Sequence, residues 1–298
     1  MGAALSTVAK KNSKRKRTDE PIKPAARRSS RTRWRILIAA IILAAVIAGS
    51  LAMWRRVQRH VAAQPEYLVA VEDIDVTSQP DWIHTDVKAE VIRDAGLTKK
   101  LSILDEHAPE RISEAFGLNP WVERVAGVHT SYPAHIKVDL VYRRPVAMVA
   151  VSGGLLPIDA QGILLPTAGF VAAEAQSYPR IVGVVSSPRG LVGTPWGDIT
   201  VERAARLAVL LQDVWRSLGI HHIRVPQADG EALGDPCWEI VTRGGSVFLW
   251  GAAPGDEAEG ETKAAEKLGR LVQLGSGNQG LDAVLKPQRD LRRWAGGP

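Results

Sequence analysis

Residues Ile36 to Met53, ILIAAIILAAVIAGSLAM, run for eighteen positions without a charge. Trp34 and Trp54 bracket the run. As a helix rising about 1.5 Å per residue, the Trp-to-Trp span is roughly 30 Å, the thickness of a bilayer's hydrocarbon core. Tryptophans at both ends sit where interfacial aromatics belong. No second such run follows, so the sequence predicts a single membrane-crossing helix over 36–54, with most of the chain behind it.

The charges around this run set an expected orientation. Twelve Lys/Arg and two acids precede it, giving that segment +10. The whole chain carries +6, which leaves −4 for everything after it. The alkaline isoelectric point therefore belongs to the tail, residues 1–35. The positive-inside rule places that tail in the cytoplasm and the bulk of the chain outside it. Arg33, Arg35, Arg55 and Arg56, with Trp34 and Trp54, are the expected membrane-interface residues. The stretch KKNSKRKR has no aromatics for base stacking and no helical period. It reads as a disordered orientation signal that touches anionic lipid, and no nucleic-acid partner is expected. A cleaved signal peptide is the rival reading, with Val61-Ala62-Ala63 as its cleavage pattern. The long basic segment and the intervening Arg55, Arg56 and Arg59 argue against it.

Cys237 is the only cysteine, so no intramolecular disulfide can form. The extracytoplasmic part must fold on its apolar core, and Cys237 reads as a small buried residue in a strand.

Beyond a linker at His60–Glu66, alternation predicts a strand over Tyr67–Val76. Thr85 is the expected N-cap of a helix to Ala95, and Asp105 the cap of a second, Glu106–Phe116. Strands follow over Trp121–His129 and Ile136–Tyr142, with Tyr132-Pro133 as the turn. Further strands are expected over Val146–Val151, Leu155–Asp159 and Ile181–Val185. Asp198 should cap an amphipathic helix running to Leu218. Ile220–Val225, Trp238–Thr242 and Ser246–Trp250 read as strands, Lys263–Leu274 as a helix, and Leu281–Lys286 as a final strand. The fold class is α+β. Trp121, Trp215 and Trp238 read as core. Trp82, Trp196, Trp250 and Trp294 divide between core and interface.

No catalytic or metal constellation emerges. His221-His222 lie in a predicted strand, where neighbours point to opposite faces, so the two imidazoles should diverge. Ser152-Gly153-Gly154 lacks the setting of a nucleophile elbow, and Gly190-Leu191-Val192-Gly193 lacks the lysine of a phosphate loop. No enzyme activity, cofactor or small-molecule substrate is expected.

Several motifs, in order, resemble the bacterial cell-division family FtsQ, called DivIB in some lineages. Asn119-Pro120-Trp121-Val122 is similar to its "LPWV", Tyr132-Pro133 to its "WP" turn, and Arg143-Arg144-Pro145-Val146-Ala147 to its "ERxPVA". Leu156–Gly162 is similar to its "LVDxxG" hairpin, and Glu266–Leu271 to its late helix. The last residues, 288–298, are polar and basic and read as a frayed tail. The resemblance implies a β-α-α-β-β polypeptide-transport-associated (POTRA) module over 67–143 and a mixed-sheet β domain with packed helices over 144–287. It implies a non-enzymatic divisome scaffold of the inner membrane, enriched at the septum. Its last strands would receive membrane-anchored partners of the FtsB/FtsL type by strand addition. Here those residues are Leu281, Asp282, Ala283, Val284, Leu285 and Lys286, with Val247 and Trp250 nearby. The alternative is a POTRA-bearing secretion or outer-membrane assembly factor that binds client chains.

Overall fold

The computed structural model describes residues 30–62, 64–97, 100–225, 237–277, 281–283 and 288–292. The chain divides into two compact units, Met1–Arg59 and His60–Pro298.

The first unit holds most of one long helix, α1 (Ser30–Ala62). Its window Arg33–Gln58 has a mean hydropathy of 2.8, and none of that window is buried. It is long and apolar enough to cross a membrane. Trp34 and Trp54 are exposed on it, as are Ile36, Leu37, Ile41, Leu43 and Val46. Such a surface is unfavourable in water and favourable in lipid.

The second unit is α+β and contains two hydrophobic cores. The first core belongs to β1 (Leu68–Val69), β2 (Asp75–Val76), α2 (Val87–Asp94), β3 (Leu101–Ser102), α3 (Ala108–Gly117), β4 (Val122–Ser131) and β5 (His135–Tyr142). A three-stranded sheet in the order β2-β5-β4 pairs β2 parallel and β4 antiparallel to β5, while β1 pairs with β3. The strand expected over Tyr67–Val76 is thus split in two. A 3-10 turn at Val71–Asp73 rotates the chain, so that β1 and β2 join different sheets. Asp86, not Thr85, caps α2, its carboxylate accepting from Ala89 N at 3.0 Å. Asp105 sits one turn ahead of α3, accepting from His107 N and pairing with Arg111 at 2.6 Å. Ile112, Phe116, Trp121, Ile136 and Val138 are all within 1% of full burial.

The second core lies on a seven-stranded mixed sheet, ordered β12-β11-β10-β9-β8-β6-β7. The strands are β6 (Ala147–Val151), β7 (Gly154–Ile158), β8 (Arg180–Val182), β9 (Ile220–Arg224), β10 (Trp238–Thr242), β11 (Val247–Gly251) and β12 (Gln288–Asp290). The helices are a single turn, α4 (Ala172–Ala175), then α5 (Ile199–Leu211) and α6 (Ala264–Gly277). β8 and β9 are parallel, so the chain must cross over between them, and α5 makes that crossover. Its buried face is Val201, Ala204, Ala205, Leu207, Ala208 and Leu211. Three alanines on that stripe allow close approach to the sheet. α5 ends seven residues before the predicted Leu218, and the apolar period continues through turns that still bury Trp215 and Leu218.

The Gly/Pro-rich stretch ahead of α5 has a structural task. Trp196 is fully buried, and its indole N–H donates to Ser186 Oγ at 3.1 Å. Ser186 donates in turn to the α5 cap, Asp198, which also accepts from Thr200 N at 2.8 Å. Gly193, at φ 89°, approaches Pro120 so closely that a Cβ would stand 3.1 Å from its Cα.

That contact is one of several between the two cores. Phe170, which follows β7, packs into the first core against Trp121. Trp82 donates to the carbonyl of Arg143 at 3.1 Å, and Arg144 lies over the Trp82 ring. At the centre, Arg143, directly after β5, donates to Asp159, directly after β7, 2.7 Å apart. Asp159 also accepts from the amides of Gln161 and Ile163, both at 2.9 Å. Its side chain is only 3% exposed and that of Arg143 13%. Removing one member of such a pair strands a buried charge. Asp159→Ala should therefore lower the unfolding free energy by about 3–5 kcal/mol in urea titrations. A loss under about 1 kcal/mol, the scale of an exposed pair, would contradict the role given to this contact.

Candidate docking surface

The predicted C-terminal docking strand does not form as expected. Leu281–Ala283 is a 3-10 turn, not a strand. Leu281 is fully buried in the second core. Asp282 clasps the turn between β10 and β11, accepting from Thr242 Oγ1 and from Gly244 N at 3.0 Å. A Cβ on Gly244 would stand 2.5 Å from the Asp282 carboxyl carbon, so the glycine permits the clasp. Val284, Leu285 and Lys286 lie outside the described residues. The sheet does end on a late strand, but it is β12, parallel to β11 and three residues long. β11 is consequently paired on both sides over Val247–Leu249, leaving Val247 no free edge, while Trp250 lies at a slip in the register with β10 and beyond the end of the β12 ladder.

Trp250 is core. It is fully buried, and the equally buried Lys267 ammonium sits 5.3 Å above its ring. Lys267 pairs with Glu261 at 2.6 Å. Burial alone would raise the Glu261 carboxyl. The hydrogen bonds from Lys267, Ala252 N and Ala258 N outweigh it and hold the group below its ordinary range. Trp121, Trp196, Trp215 and Trp238 are also core, Trp82 is half-buried, and Trp294 lies outside the described residues. Cys237 is half-buried just ahead of β10 rather than within a strand.

The longest open edge among the described residues is on the other sheet. β4 is a ten-residue strand with a partner on one side only. Its pairing with β5 slips at Val122/Arg124 and again at Val125/Gly127. Each slip leaves one residue, Glu123 and Ala126, unpaired in a bulge, and bulges spoil an edge as a template. From Gly127 to Ser131 the ladder is regular. This half presents the evenly spaced backbone N–H and C=O groups that an incoming strand needs. Alongside it, α3 and β4 enclose an open trough of about 360 Å³. Val125 and Val128 give it an apolar lining, and Glu110 and Glu114 an acidic one. The opposite edge of the seven-stranded sheet is less open. β7 contains Pro157, and the following segment folds back on it through the Ile158–Leu164 bridge.

The paired histidines are a second departure. His221 and His222 do not diverge: their Nδ1 atoms are 2.8 Å apart. The register supplies the reason. His222 pairs with Val241, and the next residue of β10, Thr242, pairs with Ile220, so His221 is the extra residue of a bulge. A bulge breaks the alternation of strand side chains. The signal was hidden in the sequence because it depends on the partner strand. On α1, Arg33, Arg35, Arg55 and Arg56 are all exposed, as are Trp34 and Trp54. No group of three or more His, Cys, Asp or Glu that could hold a metal occurs among the described residues.

The chain matches no family model, and no curated protein is similar to it.

The histidine pair carries a pH signature. His222 is pushed down to about 4, first by burial and then by the positive neighbours His221, Arg224 and Arg180. A folded pKa below the unfolded value near 6.5 means that the unfolded chain binds the proton more tightly. The fold should lose stability as pH falls below about 6.5, with the loss complete near 4. Melting temperatures measured at neutral pH and at about pH 4.5 should therefore differ less in His222→Asn than in the wild type. Equal differences would contradict this assignment.

Proposed function

We propose that this chain is a membrane-anchored docking protein of the FtsQ/DivIB type, a scaffold of the divisome without chemistry of its own. On this reading α1 crosses the inner membrane once, with its basic tail in the cytoplasm. The first core, with its sheet order β2-β5-β4, is the POTRA module. The second core is the family's β domain. The ordered motifs Asn119–Val122, Tyr132-Pro133 and Arg143–Ala147 support this reading, because they fall at the start of β4, at the β4–β5 turn and at the junction of the two cores.

The observation that carries the docking role is the open half of β4. An extended segment from a membrane-anchored division protein of the FtsB/FtsL class would add to Gly127–Ser131 as a fourth strand. Main-chain hydrogen bonds would supply affinity, and the trough would supply selectivity. Val125 and Val128 favour apolar side chains there, and Glu110 and Glu114 favour basic ones. Anchoring both partners in one bilayer raises their effective concentration, so a short added strand can suffice. The membrane is thus part of the binding mechanism.

Adjacent residues of a strand aim their N–H groups to opposite sides. Of Val128 and His129, one N–H therefore faces β5 and the other faces outward. Proline at each position removes one donor. One of Val128→Pro and His129→Pro should unfold as cooperatively as the wild type yet fail to capture the coiled-coil ectodomains of division partners. Its fluorescent fusion should also fail to gather at midcell. Undiminished capture by a folded pair of variants would place docking elsewhere.

A further inference from the structure

Beyond strand docking, we infer that the cavity beside the His221–His222 bulge is a binding site for a phosphate group, in particular a phosphate monoester. This cavity, of about 220 Å³, is lined by Gln176, Tyr178, Arg180, Trp215, Ile220, His221 and Arg243. That is many times the ~10–15 Å³ a single water requires. It collects donors from four places in the chain: the segment after α4, β8, the start of β9 and the turn after β10.

The charge is unbalanced in one direction. Arg111, Arg143, Arg203, Arg206, Arg224 and Arg292 each hold a carboxylate. Arg180 and Arg243 do not: no acidic partner stands within ion-pair distance of either among the described residues. The carboxylates of Glu174 and Asp282 have partners of their own. Glu174 pairs with His84 at 2.9 Å, and Asp282 is held by Thr242 and Gly244.

The donor set suits an oxyanion. Guanidinium forks match the oxygens of a phosphate and bind them by paired, charge-assisted hydrogen bonds. The bulge brings a ring nitrogen that donates in one tautomer: His221 Nε2 carries the proton when His221 Nδ1 is the accepting member of the pair. Within the histidine pair one Nδ1 must donate and the other accept. Among the described residues neither His221 Nε2 nor the Tyr178 hydroxyl has a hydrogen-bond partner. Two fixed cationic groups balance a dianion. Trp215 and Ile220 supply the apolar part of a mainly polar lining, against which a carbon substituent on the phosphate can rest. A phosphate monoester of this kind could be a phospholipid headgroup or a soluble metabolite.

Full-length protein in neutral detergent, titrated at constant ionic strength and followed by phosphorus NMR, tests the inference. The probes are inorganic phosphate, glycerol phosphate and a water-soluble short-chain phosphatidic acid. Saturable binding should appear in the wild type and weaken by about tenfold or more in Arg180→Gln and in Arg243→Gln, the scale of a lost charge-assisted bond. Tightest binding of the short-chain lipid would assign a headgroup, and equal binding of the two esters a soluble monoester. If no probe binds, or if both variants melt like the wild type and bind every probe as tightly, the inference fails. Arg203→Gln, whose side chain pairs with Asp256 outside the cavity lining, is the control and should leave binding unchanged.

Discussion

The buried contact between Arg143 and Asp159 joins the two halves of the folded unit. A buried ion pair is not intrinsically a source of stability, because desolvation offsets most of its attraction. Its effect here is positional. Arg143 directly follows β5, the central strand of the small sheet, and Asp159 directly follows β7 on the large one. Neither side chain can leave without exposing the other to an apolar surround. Trp82, reaching the Arg143 carbonyl, and Phe170, packed on Trp121, tie the same junction. The open edge of β4 is presented by a sheet whose central strand is fixed at this point.

Much of the fold was legible because it rests on local rules. Asp198 caps α5 and β10 spans Trp238–Thr242 as the sequence suggested. The Ile136, Val138 and Leu140 alternation buries one face of β5. The failures share a cause: each depended on a partner distant in sequence. Leu281–Ala283 has the apolar content of a strand, yet Asp282 is claimed by a turn some forty positions earlier. Trp250 could be weighed as an interface residue only until Lys267 was seen above it. The histidine pair converges because β10 skips a residue, which nothing in β9 announces. Irregular Ser186–Gly197 had no readable period, and its order comes from the Trp196–Ser186–Asp198 chain.

Docking and anchoring are physically linked in this account. Unpaired strand edges are hazardous in freely diffusing proteins, since they invite any other edge. β4 limits that hazard with two bulges and restricts the template to five regular residues. Such a short edge binds weakly by itself. On the proposed reading, confining the chain and its partner to one membrane would make weak edge pairing useful. The apolar helix and the short edge then belong to one mechanism.

Topology tests that mechanism most directly. Leu118 is 85% exposed at the end of α3 and lies in the folded unit. In a Cys237→Ser background, Leu118→Cys becomes the only thiol. Membrane-impermeant maleimide added to intact spheroplasts should label it fully, with no further gain on lysis. Labelling only after lysis would put the folded unit in the cytoplasm and contradict the account.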